Sequence, residues 1–141
     1  YIVEAVKEMG TERAFDILSR VVEVRGGDDG KALIERLGID GSGIEAGLSV
    51  YEAFLADCGI DHRVIERSDG RALIRVGKCP IYDAYHSAVL DCDWLAESMC
   101  RNLTHPLITA MVRQVNPRLR SLVRRYRSFS NGYCLEELVL E

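Results

Sequence analysis

The sequence has no Cys-x-x-Cys pair, only three prolines and one tryptophan in 141 residues, and 7% aromatics. No apolar run approaches the roughly 20 residues that a membrane span needs, and no cleavable leader pattern opens it. Membrane-spanning, collagen-like and disordered classes are excluded, the last because 48% of the residues are hydrophobic. The five cysteines, Cys58, Cys79, Cys92, Cys100 and Cys134, are an odd number separated by 21, 13, 8 and 34 residues. Such spacing matches neither a zinc knuckle nor a thioredoxin-like centre, and the odd count fits poorly with a disulfide framework. The expectation is a cytoplasmic protein with reduced thiols. Also absent are G-x-x-x-x-G-K-[ST], G-x-S-x-G, H-E-x-x-H and G-x-G-x-x-G, so phosphate-cradling loops and the common hydrolase elbows have no support.

Acid is missing from one stretch. Residues 1–100 carry 11 basic and 19 acidic side chains, a balance of −8, whereas residues 101–141 carry seven arginines and three glutamates, a balance of +4. Between Arg101 and Leu135 no acid occurs. Either the two parts attract one another within the fold, or the arginines face an anionic ligand.

The length suits one domain over residues 1–141, with a helical part at 1–58 and a hairpin–helices–hairpin part at 59–141 that carries the candidate cysteines. Thr11 is the expected N-cap of a helix through Ala14, Phe15, Leu18 and Val22 that stops at the glycine-rich 26–30 segment. A short helix from Lys31 to Leu37 ends at Gly38, and Ala46, Val50, Phe54 and Leu55 mark another to about Cys58. The period then becomes two. His62–Glu66 and Arg71–Val76 flank the hairpin signal Ser68-Asp69-Gly70. Pro80 suits the first turn of a helix through Tyr82, Tyr85 and Val89, and Asp93 is the expected cap of a further helix bearing Leu95, Met99 and Leu103. His105-Pro106 interrupts, a helix runs on to about Val115, and Leu119–Ser128 and Tyr133–Leu140 flank a second turn, Ser130-Asn131-Gly132. This predicts an α+β fold, an antiparallel sheet of about four strands in two hairpins packed with several helices.

On this map Cys79, Cys100 and Cys134 fall at element ends, where remote parts of a chain converge. As the cap of a helix opened by Pro80, Cys79 would feel the positive end of the helix dipole, which lowers a thiol pKa and makes it nucleophilic or metal-binding. His86 lies seven residues on, on the same helix face, and is the expected proton carrier. Cys58 and Cys92 share helices with apolar neighbours and read as structural; His62 and His105 read as exposed cap or turn residues. Sulfur and imidazole suit zinc or iron, with Cys79, Cys100 and Cys134 as candidate ligands. Strand alternation puts Arg118, Arg120 and Arg124 on one face and Arg125 and Arg127 on the other. No single basic face results, which with the acidic total argues against nucleic acid. A solvated strand face is one reading, and an arginine such as Arg124 holding a ligand carboxylate is the other.

The order hairpin, Lys78-Cys79-Pro80-Ile81-Tyr82, a helix with Cys100, Val115-Asn116-Pro117, strand, tight turn and Gly132-Tyr133-Cys134-Leu135-Glu136 resembles the L-2-amino-thiazoline-4-carboxylate hydrolase-like family. It is also similar to 4-vinyl-reductase-type small-molecule-binding domains. The likeness covers about residues 45–141, and its characteristic cysteines correspond to Cys79, Cys100 and Cys134. It implies hydrolysis of a cyclic C–N bond, with Cys79 as nucleophile or metal ligand; His86 has no counterpart in the family pattern, and its role as proton carrier, like substrate binding by Arg124 and Tyr82, is an expectation for this chain alone. The second type implies a non-enzymatic ligand-, metal- or redox-sensing domain. Ser130-Asn131 stands where the family pattern has Gly-Asp; the turn survives that exchange, but an aspartate that could serve as base or ligand is lost. The expected partner is a small molecule, and a homodimer is among the arrangements the sequence leaves open.

Overall fold

The computed structural model describes residues 1–89 and 92–141. Its elements are helices α1 (Ile2–Met9), α2 (Thr11–Leu37) and α3 (Ile44–Asp57), strands β1 (His62–Arg67) and β2 (Arg71–Val76), helices α4 (Pro80–Ala88) and α5 (Asp93–Met99), a π-helical turn (Cys100–Thr104), helix α6 (His105–Val112), and strands β3 (Leu119–Arg125) and β4 (Cys134–Leu140). The four strands form one antiparallel sheet in the order β1-β2-β4-β3. The α+β class and both hairpins are as the sequence predicts. Among the described residues no helix is long and apolar enough to cross a membrane.

The sheet alternates as half-buried strands must. Ala72, Ile74 and Val76 of β2, Cys134 and Leu138 of β4 and Leu119 of β3 are buried together with Leu48, Tyr51 and Leu55 of α3 and Ile108, Met111 and Val112 of α6. A second, smaller cluster joins Phe15 of α2 to Val89, Leu95, Met99 and Leu103.

Two expected breaks are absent. The glycines at 26–30 do not end a helix: α2 runs 27 residues without interruption, with Thr11 its first helical residue rather than its cap, and stops at Gly38 in the left-handed conformation at φ 62°. Gly26 and Gly30 instead bring α2 against α6. A Cβ on Gly26 would lie 2.3 Å from the Leu107 carbonyl oxygen, and one on Gly30 would lie 2.6 Å from that of Met111. Packing at that separation repays the weak helix propensity of glycine.

His105-Pro106 does not interrupt either. The chain passes from α5 through the π turn into α6, and the His105 amide reaches back to the Cys100 carbonyl, five residues earlier. The widened turn admits Pro106, which has no N–H to contribute, without breaking the helical path. Cys92, not Asp93, occupies the cap position of α5.

β3 is an edge strand, and one stripe of helix closes its free edge. Arg101 Nη1 donates to the Val123 carbonyl at 3.0 Å, the Ser121 amide donates to Thr109 Oγ1 at 3.0 Å, and Arg113 Nε donates to the Leu119 carbonyl at 3.2 Å. The spacing of 101, 105, 109 and 113 places all four side chains on one helical face. An edge satisfied in this way cannot pair with a foreign strand.

A bulge between Val123 and Arg125 resets the alternation of β3. Tyr126 therefore turns toward the helices and Arg125 is exposed; Arg127, expected beside Arg125 on one face, lies beyond the end of β3 and is buried.

Candidate functional site

Three cysteines from three separate elements line one pocket. Cys79 caps α4, Cys100 opens the π turn and Cys134 begins β4; Tyr82, Tyr126 and Glu136 complete the polar part of the wall. The pocket is closed around about 20 Å³, room for about one water molecule. Beside it runs an open apolar groove of about 500 Å³ bordered by Val22, Pro80, Ala84 and Leu107. Phe54, Ile81, Tyr85 and Thr104 line both spaces and so form the partition between them. A hydrogen bond of 3.1 Å between the Tyr85 and Thr104 hydroxyls ties α4 to the π turn across this partition.

The local reason for Cys79 is the one the sequence suggests. Pro80 stands at the first helical position, and the Tyr82 amide donates to Cys79 Sγ at 3.4 Å. The expected activation is not found, however. Burial pushes the Cys79 thiol up, and this outweighs the helix-terminal amides of Tyr82 and Ile81 and the nearby Arg127. Burial, and then Glu136 and the neighbouring thiols, push Cys100 up further still. Both are held as thiols rather than thiolates.

Arg127 organises the Cys134 side. Only 4% exposed, it donates from Nε to Cys134 Sγ at 3.3 Å and from Nη2 to the carbonyls of Val76 at 3.3 Å and Gly77 at 2.5 Å. Its guanidinium also lies over the Tyr82 ring, 4.7 Å from the centroid. The β3–β4 turn is thereby stitched to the end of β2 and to the first turn of α4.

Glu136 ends a buried hydrogen-bonded chain beneath the pocket. His105 Nδ1 bonds Ser121 Oγ at 2.7 Å, Ser121 Oγ donates to Tyr51 Oη at 3.0 Å, and Tyr51 Oη donates to Glu136 Oε2 at 2.5 Å. His105 Nε2 faces Glu136 Oε1 at 3.6 Å, too far for a hydrogen bond, and is buried with no hydrogen-bond partner among the described residues. Burial by itself would raise the Glu136 carboxyl, but the His105 ring, the Tyr51 hydroxyl and Arg127 outweigh it and hold the pKa below the usual carboxylate range. His105, expected at the surface, is 4% exposed because the π turn carries it under the sheet. His62 is likewise partly covered and bonds the Ile60 carbonyl at 3.0 Å.

Two expected site residues lie elsewhere. His86 stacks on Tyr82 with ring centroids 4.2 Å apart and sits 3.8 Å from Asp93, in a surface recess with Asp83, Ser128 and Phe129. Tyr82 lines both that recess and the thiol pocket; His86 lines only the recess. Arg124 projects from the outer face of the sheet, where it and Arg71 enclose Glu137, which is 2% exposed. It cannot anchor a carboxylate among the thiols, because strand alternation puts it on the opposite side.

Among the described residues no group of three or more His, Cys, Asp and Glu side chains is arranged to hold a metal ion. Cys79, Cys100 and Cys134 share a pocket, but the ligand set expected for zinc or iron is not assembled. Two of the sulfurs already accept hydrogen bonds from Tyr82 and Arg127.

Sequence reasoning missed Glu136, Arg127, Tyr126 and the Tyr51–Ser121–His105 chain. One sign was present for Glu136: in Cys134-x-Glu136-x-Leu138 an acid occupies the inward parity of a strand. No family model, curated protein or solved structure matches the chain.

Proposed function

We propose that this chain is a small-molecule-binding domain whose ligand lays an apolar body in the groove beside α4 and presents a small polar head to the thiol pocket. The observation that carries the reading is the convergence of Cys79, Cys100 and Cys134 on a pocket that shares its wall with an open groove. A groove of about 500 Å³ lies within the roughly 300–1,000 Å³ range of small-ligand sites. Entry of the head requires Ile81 and Tyr85 to yield, which the single hydrogen bond from Tyr85 to Thr104 restrains only modestly. In the pocket the head meets two protonated thiols and the Glu136 carboxylate, together with the Tyr126 hydroxyl, which is buried with no hydrogen-bond partner among the described residues. Binding is favoured over hydrolysis because a nucleophilic Cys79 would need a base, and His86 lies beyond Tyr82.

Fluorescence titration with neutral N-phenyl-1-naphthylamine tests the reading. Saturable binding is expected, weakened by about tenfold or more in Ala84→Trp, which fills the groove from an exposed position. Slower alkylation of Cys58, which lines the groove, is expected when the probe is bound. Binding indifferent to Ala84→Trp would refute the site. Turnover of L-2-amino-thiazoline-4-carboxylate that disappears in Cys79→Ala would replace binding with hydrolysis.

A further inference from the structure

A cleft of about 540 Å³ runs along the seam where α6 and the π turn are hydrogen-bonded to β3. Arg101 stands at one end and Arg113 and Arg120 at the other, with His105, Thr109 and Ser121 between. Three of the seven arginines of the acid-free, arginine-rich stretch meet here.

Two of the three arginines are tied to backbone carbonyls of β3. Arg101 and Arg113 are anchored to the carbonyls of Val123 and Leu119, four residues apart on β3 and so about 13 Å apart at roughly 3.3 Å per residue. Arg113 uses only Nε in this way. Its two Nη groups have no protein partner and it forms no ion pair, among the described residues. Arg101 is shared with Glu97 at 2.7 Å, and Arg120 meets Glu141 at 3.4 Å; Glu23 is the other acid on the wall. A guanidinium fixed through one N–H keeps a planar fork of further donors, the geometry that matches carboxylate and phosphate oxygens.

We propose that this cleft is a second binding site, for an elongated small anion with negative charge at both ends. The two ends are too far apart for one orthophosphate to span, whereas a linear oligophosphate extends along the cleft, one terminus on Arg113 and Arg120 and the other toward Arg101. The cleft and the thiol pocket share no lining residue, though His105 and Ser121 of the cleft are joined through Tyr51 to Glu136 of the pocket.

Titration of the intact chain with inorganic tripolyphosphate at low ionic strength, followed by backbone amide shifts and by calorimetry, tests this. Saturable binding with shifts at Thr109, Gln114 and Ser121 is expected, with orthophosphate weaker by about tenfold or more. Arg113→Gln should weaken tripolyphosphate by a similar factor. Arg120→Gln, at an exposed residue whose side chain bonds only Glu141 among the described residues, should weaken it without altering the melting temperature. Arg125→Gln removes the same charge outside the cleft, beside Tyr133, and should change affinity little. Equal losses in Arg113→Gln and Arg125→Gln, orthophosphate binding as tightly as tripolyphosphate, or no saturation would each overturn the proposal.

Discussion

Gly30→Ala should lower stability by about 2–4 kcal/mol, although the same exchange in a solvent-facing helix raises it. The added Cβ would stand 2.6 Å from the Met111 carbonyl oxygen and 2.7 Å from its Cα, both backbone atoms that cannot rotate away. α2 and α6 must then separate, and the neighbouring Gly26 contact with Leu107 opens with them. The fall in melting temperature is on the order of 10 °C for a chain of this size. Gly27→Ala supplies the control. Its Cβ meets only the Gln114 side-chain amide, at 3.6 Å, so the variant should be neutral or more stable by up to about 1 kcal/mol. Urea and thermal denaturation followed by circular dichroism measure both. Equal behaviour of the two variants would show that α2 does not approach α6 through these glycines.

Glu136→Ala should cost about 2–4 kcal/mol, because it leaves the Tyr51 hydroxyl without its acceptor and empties the space of a buried side chain. Glu136→Gln keeps an acceptor for Tyr51 and should cost less, about 1–3 kcal/mol. The two variants also separate by pH. Glu136 has a lower pKa folded than unfolded. The stability from its ionised form is therefore fully present above the unfolded value, about 4.3, and is lost as pH falls through the folded value. The advantage of the natural protein over Glu136→Gln, measured as urea midpoints, should shrink on going from neutral pH to about pH 3. An advantage that grows on acidification would mean that Glu136 is buried as the neutral acid.

Both predictions concern the cradle of the pocket, since α6 carries Ile108 into its wall and Glu136 forms part of its lining. A tightly packed cradle can hold the thiols in register, and the bonded members of the network, from His105 Nδ1 through Ser121 and Tyr51 to Glu136, tie it together. The placing of Tyr51 on α3, His105 at the start of α6, Ser121 on β3 and Glu136 on β4 joins four elements through side chains alone. Removing any one member should therefore loosen the sheet from both helices that cover it.

The local chemistry of the chain was legible in its residue order. Asp69-Gly70 and Asn131-Gly132 announced both hairpins, Cys79-Pro80 announced a capped helix, and period-two runs announced the antiparallel strands, because each depends on neighbours within a few residues. The placement of Cys79, Cys100 and Cys134 at element ends was legible for the same reason. Tertiary structure decided the rest. Glycines that read as breakers became the contact between α2 and α6, because close approach of backbones outweighs local propensity. A π turn carried His105 inside, and one bulge in β3 sent Tyr126 inward and Arg125 outward while Arg124 stayed on the outer face; neither shift leaves a mark in a periodic pattern. The direction of the Cys79 shift was likewise set by desolvation from distant side chains, a quantity that short-range residue order does not contain.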